Sequence, residues 1–166
     1  MRLFIAITFS PDFKNHFIDL KHQLRQRGVE GNFTLDENLH LTLCFIGETQ
    51  QVDQIKSALK RVNFQPFVLS VSEVQNFRDM IWVGIKKNQA LSELSKSIKI
   101  ELDKAGIDYD RKPFKAHITL ARKVAGDVPK LEFPDAKMNV EKISLMKSAR
   151  ENGKLVYTEI FSAPQI

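Results

Sequence analysis

Apolar residues recur with two different periods along this chain, and the switches between them predict the element order. Residues 2–9 are almost continuously apolar, as in a strand covered on both faces. Ser10-Pro11 follows, a capping side chain and then a first helical residue that needs no amide hydrogen. Phe13, Phe17, Leu20 and Leu24 lie at spacings of four, three and four, which predicts a helix ending near Gly28. Gly31-Asn32 reads as a turn and Phe33-Thr34-Leu35 as a short extended piece. A strand is expected over about 39–46, closed by Gly47. Val52, Ile55, Leu59 and Val62 form the stripe of a second helix over 51–62, stopped by Pro66. Residues 67–76 alternate as a strand, turn at Asn76-Phe77-Arg78-Asp79, and return over 80–85. Leu91, Leu94, Ile98, Leu102 and Ala105 mark a third helix over 88–105, with Gly106 in the C-capping place. A basic loop over 110–115 precedes a strand at 116–122. Residues 123–135 read as a loop. Two last strands are expected at 138–147 and 154–161, joined by Asn152-Gly153.

The order contains a repeat. Strand, helix, loop and strand occur over 2–43 and again over 80–120. Each unit ends on nearly the same four residues: His40-Leu41-Thr42-Leu43 and His117-Ile118-Thr119-Leu120. The two histidines are 77 positions apart and the two strand starts 78, as an internal duplication requires. The expected fold is therefore α+β, a duplicated two-lobed domain over 1–166. Each lobe is an antiparallel sheet with helices packed outside, and a pseudo-two-fold cleft lies between the lobes. In a strand, alternate side chains share a face. His40 and Thr42 line one face and Leu41 and Leu43 the other; His117 and Thr119 repeat the arrangement. Polar pairs backed by apolar pairs describe two walls of one cleft.

Composition narrows the chemistry those walls can serve. No apolar run reaches the roughly 20 residues of a membrane helix, and the apolar start is too short for a signal peptide. The single cysteine, Cys44, precludes an intrachain disulfide and suits a reducing cytoplasm. One Cys and four scattered His have no zinc-like spacing, so no metal or other cofactor is expected. A net charge of +5 and a pI of about 9.3 favour an anionic partner such as RNA or a nucleotide. Histidine holds or releases a proton near neutral pH. Two of them across a substrate can work as acid and base, which suits metal-free phosphodiester cleavage. The two threonine hydroxyls can donate to phosphate oxygens. A lone His or Thr in a strand is more often structural; the duplicated pair at matched offset favours function. His16 and His22, on the first helix, read as surface residues.

The motifs with their flanks resemble the 2H phosphoesterase superfamily, and within it the bacterial and archaeal RNA 2′,3′-cyclic phosphodiesterases, also called 2′-5′ RNA ligases. The resemblance rests on Arg2-Leu3-Phe4-Ile5-Ala6-Ile7, on Glu37 through Gly47, on Pro113 through Arg122, and on the last hairpin with Ser148 and Tyr157. This chain departs from the usual pattern in having Ala116 for Pro before the second His, Lys112 for Arg before Pro113, and Phe33 for Trp. The resemblance implies that an RNA-terminal 2′,3′-cyclic phosphate is opened to a 2′-phosphomonoester. His40 would be the proton donor, His117 the proton acceptor, and Thr42 and Thr119 the phosphate holders. Replacing water by an RNA 5′-hydroxyl would give a 2′-5′ linkage.

Four further residues are substrate-binding candidates. Arg111 and Lys112 lie in the basic loop, and Phe33 could stack a base. Arg122 follows the second motif; strict alternation turns it away from His117 unless the strand twists. Trp82, in an apolar strand, reads as core. Cys44 continues the His40 and Thr42 face as a small buried side chain. The expected partners are RNA 3′ ends or related nucleotides, with no membrane and a monomeric state. The competing readings are a cyclic phosphodiesterase on ADP-ribose cyclic phosphate or 2′,5′-oligoadenylate, and a non-catalytic RNA-end-binding module.

Overall fold

The computed structural model describes residues 1–164. Its elements in chain order are β1 (Arg2–Thr8), α1 (Pro11–Gln26), β2 (Glu30–Phe33), a short 3-10 turn (Asp36–Asn38), β3 (His40–Glu48), α2 (Val52–Lys60), β4 (Phe67–Phe77), β5 (Met80–Ile85), α3 (Gln89–Lys104), β6 (His117–Ala125), β7 (Lys137–Val140), β8 (Ile143–Glu151) and β9 (Lys154–Ala163). Local chemistry sets the helix starts. The Ser10 hydroxyl accepts from the Phe13 amide, with Pro11 in the first helical position, and the Asn88 side chain accepts from the Leu91 amide.

Two sheets result, ordered β3-β1-β8-β9 and β2-β6-β5-β4-β7, and every pairing is antiparallel. One continuous buried cluster draws on both. Phe13, Phe17, Leu20 and Leu24 enter it from α1, and Leu91, Leu94, Ile98 and Leu102 from α3. Burying each such side chain contributes roughly 1.5–3 kcal/mol. Phe9, Phe13 and Phe17 pack ring against ring with centroids 4.9–5.3 Å apart. On the other face of the first sheet, Phe4, Ala6 and Met146 form a small separate cluster with Phe45 and Tyr157.

Two expectations are corrected. The strand expected at 138–147 is two strands: β7 pairs with β4 in the second sheet and β8 with β1 in the first. The chain changes sheets at the exposed pair Glu141-Lys142. A period-two pattern records burial, and burial continues on both sides of that crossing. Gly31-Asn32 is not a turn but the middle of β2. A Cβ on Gly31 would lie 3.0 Å from the Arg122 carbonyl oxygen, so the glycine serves close backbone approach.

The duplication is visible as a crossing of the halves. After α1 the chain leaves the first sheet, and the Thr34 amide donates to the Leu120 carbonyl at 2.8 Å. After α3 the chain makes the reverse visit, and the Asp110 amide donates to the Phe45 carbonyl at 2.8 Å. Each motif strand is thus held by a segment from the other half.

Candidate active site

Both motif strands bulge at the same place. In the first sheet Ile5 pairs with Cys44 and Ala6 with Thr42, which leaves Leu43 as an extra residue. In the second, Ile81 pairs with Ala121 and Trp82 with Thr119, which leaves Leu120 extra. A bulge puts two successive side chains on one side of the strand. Leu43 with Cys44, and Leu120 with Ala121, are accordingly buried in the core. The next residues, Phe45 and Arg122, return to the face of the histidines. Cys44 therefore lies opposite His40 and Thr42, against the expectation that it shared their face; burial pushes its thiol up to about 12. Arg122 is brought back to the cleft by the bulge, which strict alternation could not foresee.

The two imidazoles are held alike. A carbonyl oxygen can only accept, so Nδ1 of each ring must carry the hydrogen. Nδ1 of His40 donates to the Asn38 carbonyl at 2.6 Å, and Nδ1 of His117 to the Lys115 carbonyl at 2.8 Å. Each acceptor is two residues upstream of its histidine. Both rings therefore keep Nε2 for chemistry. Nε2 of His40 is 2.8 Å from the Thr42 hydroxyl. Each ring also rests near an aromatic of the neighbouring strand, Phe4 at 5.0 Å from His40 and Trp82 at 5.6 Å from His117, and Tyr157 stands edge-on to His40 at 5.1 Å. Trp82 thus lies beside His117 on the cleft face and is only half-buried, which corrects its assignment to the core.

The environments differ. Burial holds His40 below the ordinary 6.5; the bond to the Asn38 carbonyl opposes this, and the charges of His117 and Arg122 add to the lowering. Burial therefore favours the neutral form of His40. His117 and Arg122 stand on β6, which packs against β3, the strand that carries His40.

The remaining candidates divide. Arg111 is already engaged: its guanidinium bonds Asp103 at 2.8 Å and lies 3.9 Å over the Tyr109 ring. It anchors the loop after α3 and does not join the histidines. Lys112 is exposed, its amide tied to the Asp110 carboxylate at 3.0 Å. Phe33 pairs with the core-facing Ala121, is half-buried against the core and carries the Arg25 guanidinium at 4.5 Å over its ring. Its neighbour Asn32, opposite Arg122, holds the cleft-side position.

Sequence reasoning missed two anchors. Asn38, buried, ties the 3-10 turn to β9 through its amide to the Leu155 carbonyl at 2.7 Å, and its own carbonyl orients His40. Lys21 is 2% exposed and bonds Asp36 and the Thr34 carbonyl, while the Thr34 hydroxyl donates to the Thr119 carbonyl at 2.9 Å. A lysine inside the apolar stripe of α1 was the available signal for the second.

The family model described as the 2′-5′ RNA ligase superfamily matches residues 13–152. The chain belongs to the 2′-5′ RNA ligase superfamily. Among relatives in this superfamily, the RNA 2′,3′-cyclic phosphodiesterase of Archaeoglobus fulgidus is 35% identical over 130 residues, 74% of this chain and 72% of its own. The protein of the same name from Thermotoga maritima is 29% identical over 163 residues, 89% of this chain and 87% of its own. The fold matches that of apo LigT from E. coli with a TM-score of 0.83 over 97% of this chain and 95% of that one, at 23% identity. The expected α+β class with two antiparallel sheets is thereby borne out for this member of the superfamily.

Proposed function

We propose that this protein opens the 2′,3′-cyclic phosphate at RNA 3′ ends to a 2′-phosphomonoester, using His117 as base and His40 as acid. The observation that carries this reading is the duplicated strand site: two imidazoles, each with Nδ1 committed to a carbonyl two residues upstream, stand on the contacting strands β3 and β6. Relatives with high coverage carry the name RNA 2′,3′-cyclic phosphodiesterase, and E. coli LigT has been solved with 3′-AMP.

Nε2 of His117, on the more open side of the pair, takes a proton from water as the oxygen attacks phosphorus. The bond from phosphorus to the 3′ oxygen breaks, and His40 supplies the proton that this oxygen needs. Thr42 and Thr119 donate to the non-bridging oxygens, and Arg122 adds positive charge. Lys112 and Arg122 take the substrate-binding role first assigned to the basic loop and strand end. No cofactor is needed for these transfers. An RNA 5′-hydroxyl in place of water forms a 2′-5′ linkage by the same steps. The chain works as one unit over 1–166, of which residues 165–166 lie outside the described structure. It acts as a monomer in the cytoplasm.

The test is an oligoribonucleotide ending in a 2′,3′-cyclic phosphate, incubated with a chelator and analysed for 2′-phosphate. Substituting Ala at either His40 or His117 should cost about 10²–10⁴-fold in rate. An inactive wild type, or full activity in either variant, rejects the reading.

A further inference from the structure

We infer that the open face of the second sheet is a track for single-stranded RNA, with Phe77 as a stacking platform for a nucleotide upstream of the reacting end. This rests on the function proposed above and extends it from the terminal phosphate to the substrate class. The polynucleotide, and not a small cyclic nucleotide, is the ligand that uses this face.

The register identifies the face. His117 pairs with Gly84, Thr119 with Trp82, Gln75 with Trp82 and Phe77 with Met80. These side chains therefore stand on one side of the sheet, together with Arg122, whose guanidinium contacts the Met80 sulfur at 3.9 Å. The row leads from His117 through Trp82 to Met80 and Phe77 at the tip of the β4–β5 hairpin. Trp82 stands at the register of Gln75, two residues from Phe77 and so about 6.6 Å from it along the strand direction, which makes the two aromatic rings successive platforms.

Phe77 is 61% exposed, the most exposed of the large apolar side chains among the described residues. The guanidinium of its neighbour Arg78 lies 5.3 Å from the ring centroid. Among the described residues, no carboxylate forms a salt bridge with Arg78 or Arg122. Asp79 adds one negative charge at the turn. Aromatic rings alternating with unpaired arginines, continuous with the catalytic cleft, are the requirements of a single strand: bases stack on any aromatic face, and phosphates meet the cations.

Phe77→Ser and Arg78→Ala change only exposed positions outside the catalytic set. Each is compared with wild type on a nucleoside 2′,3′-cyclic phosphate and on a tetranucleotide with the same terminus. Phe77→Ser should lower kcat/KM on the tetranucleotide on the order of tenfold and leave the mononucleotide unchanged; Phe77→Trp should restore it. Arg78→Ala should reduce the salt dependence of tetranucleotide binding by about 0.7 in log–log slope. Equal effects on both substrates, or none on either, overturn the track. Fluorescence anisotropy of a labelled 3′-phosphorylated tetranucleotide separates the two proposals. If wild type turns over neither substrate, the catalytic reading fails, whereas weaker binding by Phe77→Ser still supports the track and unchanged binding removes it. An Arg2→Ala variant that alone weakens tetranucleotide binding would place the strand on the first sheet and overturn the proposal.

Discussion

His40 and His117 have the same Nδ1 anchor and different surroundings, and that difference gives each a separate signature. Burial lowers the pKa of His40, so the folded protein takes up its proton at lower pH than the unfolded chain does. The unfolded state then binds more protons as pH falls through 6.5, and stability drops in that range while remaining level above it. Thermal melts from pH 8 to 5 should show this loss, and His40→Gln should remove part of it. Arg122 also lowers His40. Replacing it by Ala should move the His40 titration upward in a proton NMR experiment; an unchanged or downward shift would show that Arg122 does not face the cleft. In activity, the alkaline limb of kcat/KM belongs to the acid in the free enzyme and should lie at lower pH than the limb of kcat, because a bound phosphate favours the imidazolium. Cys44, buried and raised to about 12, should resist thiol reagents until the protein unfolds.

At the scale of elements, the paired bulges and the crossing segments do most to build the cleft. Each bulge keeps two apolar residues in the core and delivers the next side chain to the site. Without the extra residue at Leu120, Arg122 would point away from His117. The segment from Thr34 to Asn38 touches both motif strands, through Thr34 to β6 and through the Asn38 carbonyl to His40. Lys21 holds that segment from α1. Lys21→Ala removes the donor from the Thr34 carbonyl and should destabilise by about 1–3 kcal/mol in denaturant unfolding. Its effect on kcat should exceed its effect on KM if the segment positions the histidines; a loss of stability alone would make Lys21 a purely structural residue.

The whole molecule buries one cluster shared by both sheets. Each motif strand also bonds a segment from the opposite half. Unfolding should therefore be a single transition, with Trp82 fluorescence from the second sheet and far-ultraviolet circular dichroism giving the same midpoint. Two separated midpoints would show that the halves are independent. This shared core also explains what could be read in advance. Helices, most strands and the two motifs depend on local periodicity, and Phe13, Phe17, Leu20 and Leu24 declare α1 without reference to anything else. The matched 77-residue offset of His40 and His117 was likewise legible, and with it a common cleft, while the flanked motifs carried the resemblance to the superfamily.

Other features depend on which strand lies beside which, and no local pattern carries that. The split of residues 138–147 between two sheets, the cleft position of Trp82 and the packing of Phe33 against the core all follow from pairing partners distant in sequence. The bulges are the sharpest case. Alternation assigns faces on the assumption of unbroken register, and one extra residue reverses every face beyond it. The sequence by itself determined the helices, most of the strands, the repeat and the four motif side chains. Tertiary structure alone decided which residues join them, because bulges and crossings are chosen by packing across the sheets and not by the residues on either side.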